Sequence, residues 1–177
     1  MTTALHELGP HGGIGSRHSA HAQYDTWLTP LQIISVLGEF DLDPCAAPSP
    51  RPWPTAKRHI EKPDDGLALP WNGRVWLNPP YGQVVGQWLG KMATHGCGIA
   101  LTFARTETRA WQDWVWPFAC AILFLDGRLN FRLPDGTDPR KNAGGPSALI
   151  AYSEADAEIL AGAGISGHLA GRARRVA

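Results

Sequence analysis

Arg74-Val75-Trp76-Leu77-Asn78-Pro79-Pro80-Tyr81 is an apolar run that ends in a rigid polar turn, and an apolar-periodic stretch beginning at Val84 follows it. The order strand, turn, helix puts a polar side chain and an aromatic ring at the carboxyl end of a strand, where open α/β sheets place their ligands. Two successive prolines fix φ twice and remove two backbone donors, so the carbonyls of this turn are held in a set direction with no helix to consume them. Asn78 adds a side-chain oxygen and Tyr81 a flat face. Together they offer acceptors for an NH2 group and a platform for a planar ring, and the exocyclic amine of a nucleobase fits both.

Upstream of that stretch, Phe40-Asp41-Leu42-Asp43 alternates apolar and acidic residues and stops at Pro44. It reads as a short strand whose last carboxylate, Asp43, points out of the sheet end beside Asn78. Before it, Thr29 is the expected helix N-cap with Pro30 at the first helical position, followed by Leu31, Ile33, Ile34 and Leu37 and a stop at Gly38. Residues 1–23 hold His6, His11, His18 and His21 among glycines, without apolar periodicity, and read as a mobile polar arm rather than a metal site. Between the two segments, Pro48, Pro50, Pro52 and Pro54 with Lys57, Arg58 and His59 predict a long surface loop with one helical turn, closed by Asp64-Asp65-Gly66 as a tight turn.

Downstream, Val84, Val85, Trp88, Leu89 and Met92 recur at helical spacing up to Gly96. Gly98-Ile99-Ala100-Leu101-Thr102-Phe103 is a continuous apolar run, as expected for a central parallel strand covered on both faces. A polar loop around Arg105 leads to a helix carrying Trp111, Trp114, Val115 and Phe118, capped by Thr106 or Thr108. A second buried strand, Ala121 to Leu125, turns at Asp126-Gly127-Arg128 into a short strand Leu129-Asn130-Phe131. The loop from Leu133 to Pro146, a buried strand from Ser147 to Tyr152, and a helix near Asp156 to Leu160 follow. The end, with Arg172, Arg174 and Arg175, reads as a flexible basic tail. The expected organisation is one domain over residues 24–163 between two tails, 1–23 and 164–177, with no internal repeat.

Bulk composition narrows the class of protein without choosing a partner. The chain has 177 residues and a 44% hydrophobic share, enough for one core. Lys plus Arg and Asp plus Glu both number 16, so any nucleic-acid surface must come from local clustering. Cys45, Cys97 and Cys120 lie far apart in apolar surroundings, which predicts free buried thiols rather than a disulfide set or metal site. No apolar stretch reaches membrane-spanning length and no basic-then-apolar leader opens the chain, so a cytoplasmic location and no membrane partner are expected. Nothing sets the oligomeric state, and a monomer is the default.

Thr26-Trp27-Leu28-Thr29-Pro30, Phe40 to Ala47, Asp65-Gly66-Leu67, Trp76 to Tyr81, Ala104-Arg105-Thr106, Gly127 to Phe131 and Pro146-Ser147 together resemble, in this order, the phage Dam-like DNA adenine methyltransferases. The resemblance spans Tyr24 to Tyr152. It implies an α/β fold, a Rossmann-like class I methyltransferase with a mostly parallel central sheet flanked by helices. It also implies S-adenosylmethionine as methyl donor, double-stranded DNA as partner, and the N6 amine of a flipped-out adenine as the acceptor. By the same resemblance Asn78, Pro79, Pro80 and Tyr81 are the catalytic motif. Thr29, Pro30, Asp43, Pro44, Ala46 and Asp65 fall to the donor. In place of the glycine-rich turn that most adenine methyltransferases carry after the first acidic strand, this chain has Ala46, Ala47 and Pro48, so the backbone approaches the donor less closely.

The adenine amine is a poor nucleophile because its lone pair is delocalised into the ring. Acceptors at Asn78 and the Pro79 carbonyl would favour a pyramidal nitrogen, and Tyr81 would stack on the flipped base. Arg105, Arg128, Arg132, Arg140 and Lys141 are candidate phosphate contacts, with solvated surface charge as the bland alternative. Trp53 and Trp71 are read as packing in their loops. The competing readings are an amino methyltransferase acting on cytosine or RNA, and a catalytically silent nucleic-acid-binding relative.

Overall fold

The computed structural model describes residues 27–139 and 143–172. The N-terminal arm, Tyr24 to Thr26, Arg140, Lys141, Arg174 and Arg175 lie outside the described residues. In chain order the elements are α1 (Leu31–Val36), β1 (Leu42–Asp43), β2 (Arg58–His59), β3 (Val75–Leu77), α2 (Val85–His95), β4 (Gly98–Phe103), α3 (Arg109–Trp114), β5 (Ala121–Leu125), β6 (Ser147–Ala151), α4 (Glu154–Gly162) and β7 (Gly167–Gly171).

All seven strands form one sheet in the order β2-β1-β3-β4-β6-β5-β7. Alternation along the strands divides its core between two faces. Val75, Leu77, Ala100, Ile122 and Ile150 pack with Trp88, Leu89 and Met92 of α2 and Trp111 of α3. Trp76, Ile99, Leu101, Leu123 and Leu149 pack with Ile34 of α1 and Leu160 of α4. Period-2 strands thus feed both faces of a fully buried sheet centre, which is why β4 and β6 read as unbroken apolar runs. The α2 helix ends where Gly96 takes φ 72° and returns its amide to the Met92 carbonyl, a left-handed stop that glycine adopts without penalty.

The sheet is more mixed than the sequence suggests. Pairs β1/β2, β1/β3 and β3/β4 are parallel, whereas β4/β6, β5/β6 and β5/β7 are antiparallel. Strands β1 to β5 therefore point one way, and β6, inserted between β4 and β5, and β7 point the other. β4 is central, as expected, but parallel to only one neighbour. Four local expectations are also revised. Thr29 does not cap α1: Pro30 holds the N-cap position with no side-chain cap, and the Thr29 hydroxyl is buried without a partner. The expected helical turn in the 45–63 loop is instead strand β2, paired with β1. The Leu129 to Phe131 segment is no hairpin strand, because β5 is already paired on both sides; the nearby bridge joins Arg132 to Leu28. Finally, the chain past residue 163 forms edge strand β7, so the expected C-terminal boundary falls too early.

This topology places the site. The carboxyl ends of β1 through β5 share one edge, and β6 starts at that edge because Ser147 pairs with Phe103. From β1 the chain moves outward to β2, and from β3 it moves the opposite way to β4. The gap between adjacent β1 and β3 is thus a topological switch point, where open α/β sheets leave a crevice. At the opposite edge Arg74 secures the frame. Its Nε donates to Asp156 Oδ1 at 2.6 Å and its Nη1 donates to the Leu37 and Glu39 carbonyls, while Asp156 Oδ2 accepts from the Gly98 amide at 2.7 Å.

Candidate active site

The parallel register Leu42 opposite Val75 carries two residues past the end of β1 to the level of Asn78. Cys45 arrives there, and its thiol donates to the Asn78 carbonyl at 3.1 Å. Burial pushes the Cys45 thiol well above its ordinary pKa, and the neighbouring Asp43 adds to the rise. The group therefore stays a neutral donor and fixes the start of the turn. The Asn78 side chain is oriented from its other end, where Nδ2 donates to the Trp27 carbonyl at 3.4 Å. Its Oδ1 accepts only a long contact from the Tyr81 hydroxyl, also 3.4 Å, so most of its acceptor capacity remains. No described residue donates to the Pro79 carbonyl.

Tyr81 stacks on Phe103 with centroids 4.2 Å apart and planes 19° apart, and meets the Phe131 ring edge-on. One face of the expected platform is therefore occupied, and only the other remains for a planar ligand. Burial raises the Tyr81 pKa, so the phenol remains a neutral donor toward Asn78. Phe103 ends β4 and Phe131 follows β5, so three carboxyl-edge loops converge on this ring.

Asp43, only 4% exposed, lines a crevice with Trp27, Thr29, Arg51, Thr55 and Asn78. One carboxylate oxygen accepts from the Cys45 amide at 3.1 Å and the other from the Thr55 hydroxyl. Burial lifts the Asp43 pKa from 3.8 to about 6, against the opposing pull of those two donors and of the Arg51 charge. Thr29 Oγ1, buried in the same crevice, makes no hydrogen bond. The space enclosed is about 10 Å³, room for one water. A larger polar group enters only as the partly exposed lining gives way.

The wall of this crevice is a braced loop. Arg51 donates from Nε and Nη2 to the Ala47 carbonyl and pairs through Nη2 with Glu61 at 2.9 Å. Glu61 in turn accepts from the Ser49 amide at 2.6 Å. His59 Nε2 accepts from the Thr55 and Ala56 amides, and burial lowers its pKa accordingly. Ala46 is tied to the Ile60 carbonyl at 3.0 Å, and Pro44 is buried. Trp53 donates to the Thr29 carbonyl and Trp71 to the Gly66 carbonyl, so both tryptophans are packed into their loops.

Asp65 is exposed, and its Oδ1 accepts from the Leu67 amide at 2.9 Å, which is turn chemistry. Its neighbour brings it to the site. A Cβ on Gly66 would lie 1.8 Å from the Pro44 carbonyl oxygen, so only glycine lets the two backbones touch. Lys91 of α2 holds this loop by donating to the carbonyls of Gly66, Leu67 and Leu69 while lying over the Trp71 ring.

Of the basic candidates, Arg105, Arg128 and Arg132 follow strands at the same edge. Arg105 follows β4 and sits 6.0 Å over the Phe103 ring. Arg128 follows β5, is exposed, and makes a long contact with the Ala143 carbonyl at 3.5 Å. Arg132 is paired with Asp138 at 2.7 Å, and its backbone exchanges two 2.9 Å hydrogen bonds with Leu28. That bridge sets Arg132 beside the Leu28–Thr29 segment that lines the crevice. Of the expected site residues, the structure brings Asn78, Thr29 and Asp43 together and lays Asp65 alongside through Gly66. Sequence reading missed Cys45, Arg51, Thr55 and Lys91 as parts of the site. Only Cys45 carried a signal, being two residues past a strand-end carboxylate. No group of His, Cys, Asp and Glu among the described residues could hold a metal ion, and no described helix is long and apolar enough to cross a membrane.

A family model described as DNA N-6-adenine-methyltransferase (Dam) matches residues 16–161. No curated protein and no solved structure gives a match.

Proposed function

The chain belongs to the DNA N-6-adenine-methyltransferase (Dam) family, and from that premise we propose that it methylates the N6 amine of adenine in DNA, with S-adenosylmethionine as donor, at the switch point between β1 and β3. The sheet is then a Rossmann-like methyltransferase sheet, with β6 entering it antiparallel between two parallel strands. The observation that carries the reading is the meeting of the Asn78 turn, with unspent acceptors, and a crevice that holds a buried carboxylate and an orphaned hydroxyl. The lining of that crevice matches the polar amino-acid end of the donor in chemistry, since Thr29 Oγ1 lacks a partner and burial keeps Asp43 costly to ionise even with the Arg51 charge nearby, and the crevice would have to open to admit it. Thr29, Pro30, Asp43, Pro44 and Ala46 would hold that end, and Asp65 the adenosine side. When bound, the donor supplies a methyl group activated on a positively charged sulfur.

The chain's own work is to prepare the amine. Asn78 Oδ1 and the Pro79 carbonyl accept the two amine hydrogens, and their pull grows as positive charge develops on nitrogen. No strong base is required, which agrees with an Asn where a carboxylate could stand. Adenine must leave the duplex to reach the turn, at a cost of a few kcal/mol, and stacking on the face of Tyr81 turned away from Phe103 would offset part of this. Phe103 supports the opposite face and keeps the ring from swinging away. Arg105, Arg128 and Arg132 would meet phosphates along the carboxyl edge, and Arg140 and Lys141, close to Arg132 in the sequence, are proposed for the same role.

The test is incubation of the full chain with mixed-sequence DNA and labelled donor, followed by mass spectrometry of the nucleosides. N6-methyladenine is the expected product. Methylation of cytosine, methylation confined to RNA, or donor binding without any transfer would each overturn the assignment.

A further inference from the structure

Three polar groups in the crevice differ in how well their bonding is satisfied. Asp43 spends both oxygens on protein donors, Thr29 Oγ1 spends nothing, and Arg51 is divided. The Arg51 side chain is only 12% exposed. Its Nε and Nη2 are committed to the Ala47 carbonyl and Glu61, whereas Nη1 donates to no described residue. Guanidinium nitrogens are strong, fixed donors whose bonds to carboxylates are among the more stabilising available. The two bonds to the Ala47 carbonyl set the plane of the fork, so the direction of Nη1 is settled before any ligand arrives.

We propose that Arg51 is a specificity-determining residue, whose Nη1 receives the carboxylate at the amino-acid end of the methyl donor beside the Thr29 hydroxyl. The inference rests on the reading of the crevice as the donor's site and names the group it selects. An α-amino acid carries a carboxylate and an ammonium separated by one carbon. The crevice offers the complement: a guanidinium and an unused hydroxyl for the anion, with the Asp43 carboxylate for the cation. The rise in the Asp43 pKa is consistent with this, because an incoming ammonium supplies the positive charge that burial withholds. Glu61 does not compete for the role, since it pairs with Nη2 and not with Nη1. The alternative is that Arg51 is a loop brace and no more, and the two roles separate experimentally.

Calorimetric titration of the full chain with S-adenosylhomocysteine, and with the same thioether lacking its carboxylate, tests the assignment. The wild type is expected to bind the intact thioether about 10- to 100-fold more tightly, the range for hydrogen bonds to a charged group. In Arg51→Gln the intact ligand weakens by a similar factor and the two ligands bind alike. Glu61→Gln, which loosens the brace but leaves the guanidinium, keeps the discrimination. A wild type that does not distinguish the ligands overturns the inference with or without a folded Arg51→Gln, while leaving the methyltransferase reading in place. An Arg51→Gln protein that still discriminates overturns it as well. Binding of neither ligand to the wild type removes both the inference and the donor reading beneath it.

Discussion

Asn78 is held at both ends, by the Cys45 thiol on its carbonyl and the Trp27 carbonyl on its side-chain amide, and its Oδ1 accepts only a long contact from the Tyr81 hydroxyl. Removing that oxygen should remove chemistry and little else. Asn78→Ala is expected to lose at least about 100-fold in methylation while binding S-adenosylhomocysteine within a few-fold of wild type; a folded variant with full turnover would contradict the proposed mechanism. Asp43 makes a prediction about pH. Its folded-state pKa, about 6, lies above the ordinary 3.8, so folding takes up a proton between those values. The stability this group contributes is fully present below about pH 4 and is lost as pH rises through about 6. The difference amounts to about 3 kcal/mol as an upper bound. Asp43→Asn cannot titrate, so urea denaturation across that window should show its stability gaining on wild type as pH rises, then running parallel above it. Parallel curves throughout would mean that folding does not raise the Asp43 pKa.

At the scale of elements, the Asp65 turn owes its place to Gly66 rather than to Asp65. With a Cβ 1.8 Å from the Pro44 oxygen, neither backbone can yield cheaply, because both belong to the segment that follows β1 or the loop that Lys91 ties down. Gly66→Ala is expected to cost about 1–3 kcal/mol or more, read as a fall in the denaturation midpoint, with a loss of donor affinity as the loop lifts away. The C-terminal edge makes a similar point. Gly167 to Gly171 pair with the whole of β5, so a chain ended at Ala163 exposes one row of backbone donors and acceptors on β5. Such a truncation should lower thermal stability and promote self-association by sedimentation, whereas a dispensable tail would leave both unchanged.

Across the whole molecule, the Arg74–Asp156 pair joins the lead-in to β3 with α4, and Asp156 also holds the first amide of β4. Such a pair is weak evidence of net stabilisation when intact, but removing one partner strands the other charge in the core. Asp156→Ala is expected to cost about 3–5 kcal/mol, measured by chemical denaturation, and to affect donor and DNA binding only through unfolding, since it lies at the edge opposite the site.

Much of this arrangement was legible in the chain itself. Local rules are enough for the Asn78-Pro79-Pro80-Tyr81 turn at a strand end, the α2 helix with its Gly96 stop, and the buried runs of β4, β5 and β6, because proline, glycine and hydrophobic period act within a few residues. They also place Asp43 at a strand end, and a family resemblance adds the reaction. Only the tertiary structure decided what depends on pairing between distant segments. The insertion of β6 between β4 and β5, the recruitment of residues 167–171 as β7, and the bridge from Leu28 to Arg132 are choices of partner, and two-residue strands or glycine-rich ends carry too little pattern to announce them. The same holds in the site. Whether Thr29 caps a helix or is buried as an orphan, and whether Arg51 faces solvent or a crevice, is set by what packs against it, and no residue states its own neighbours.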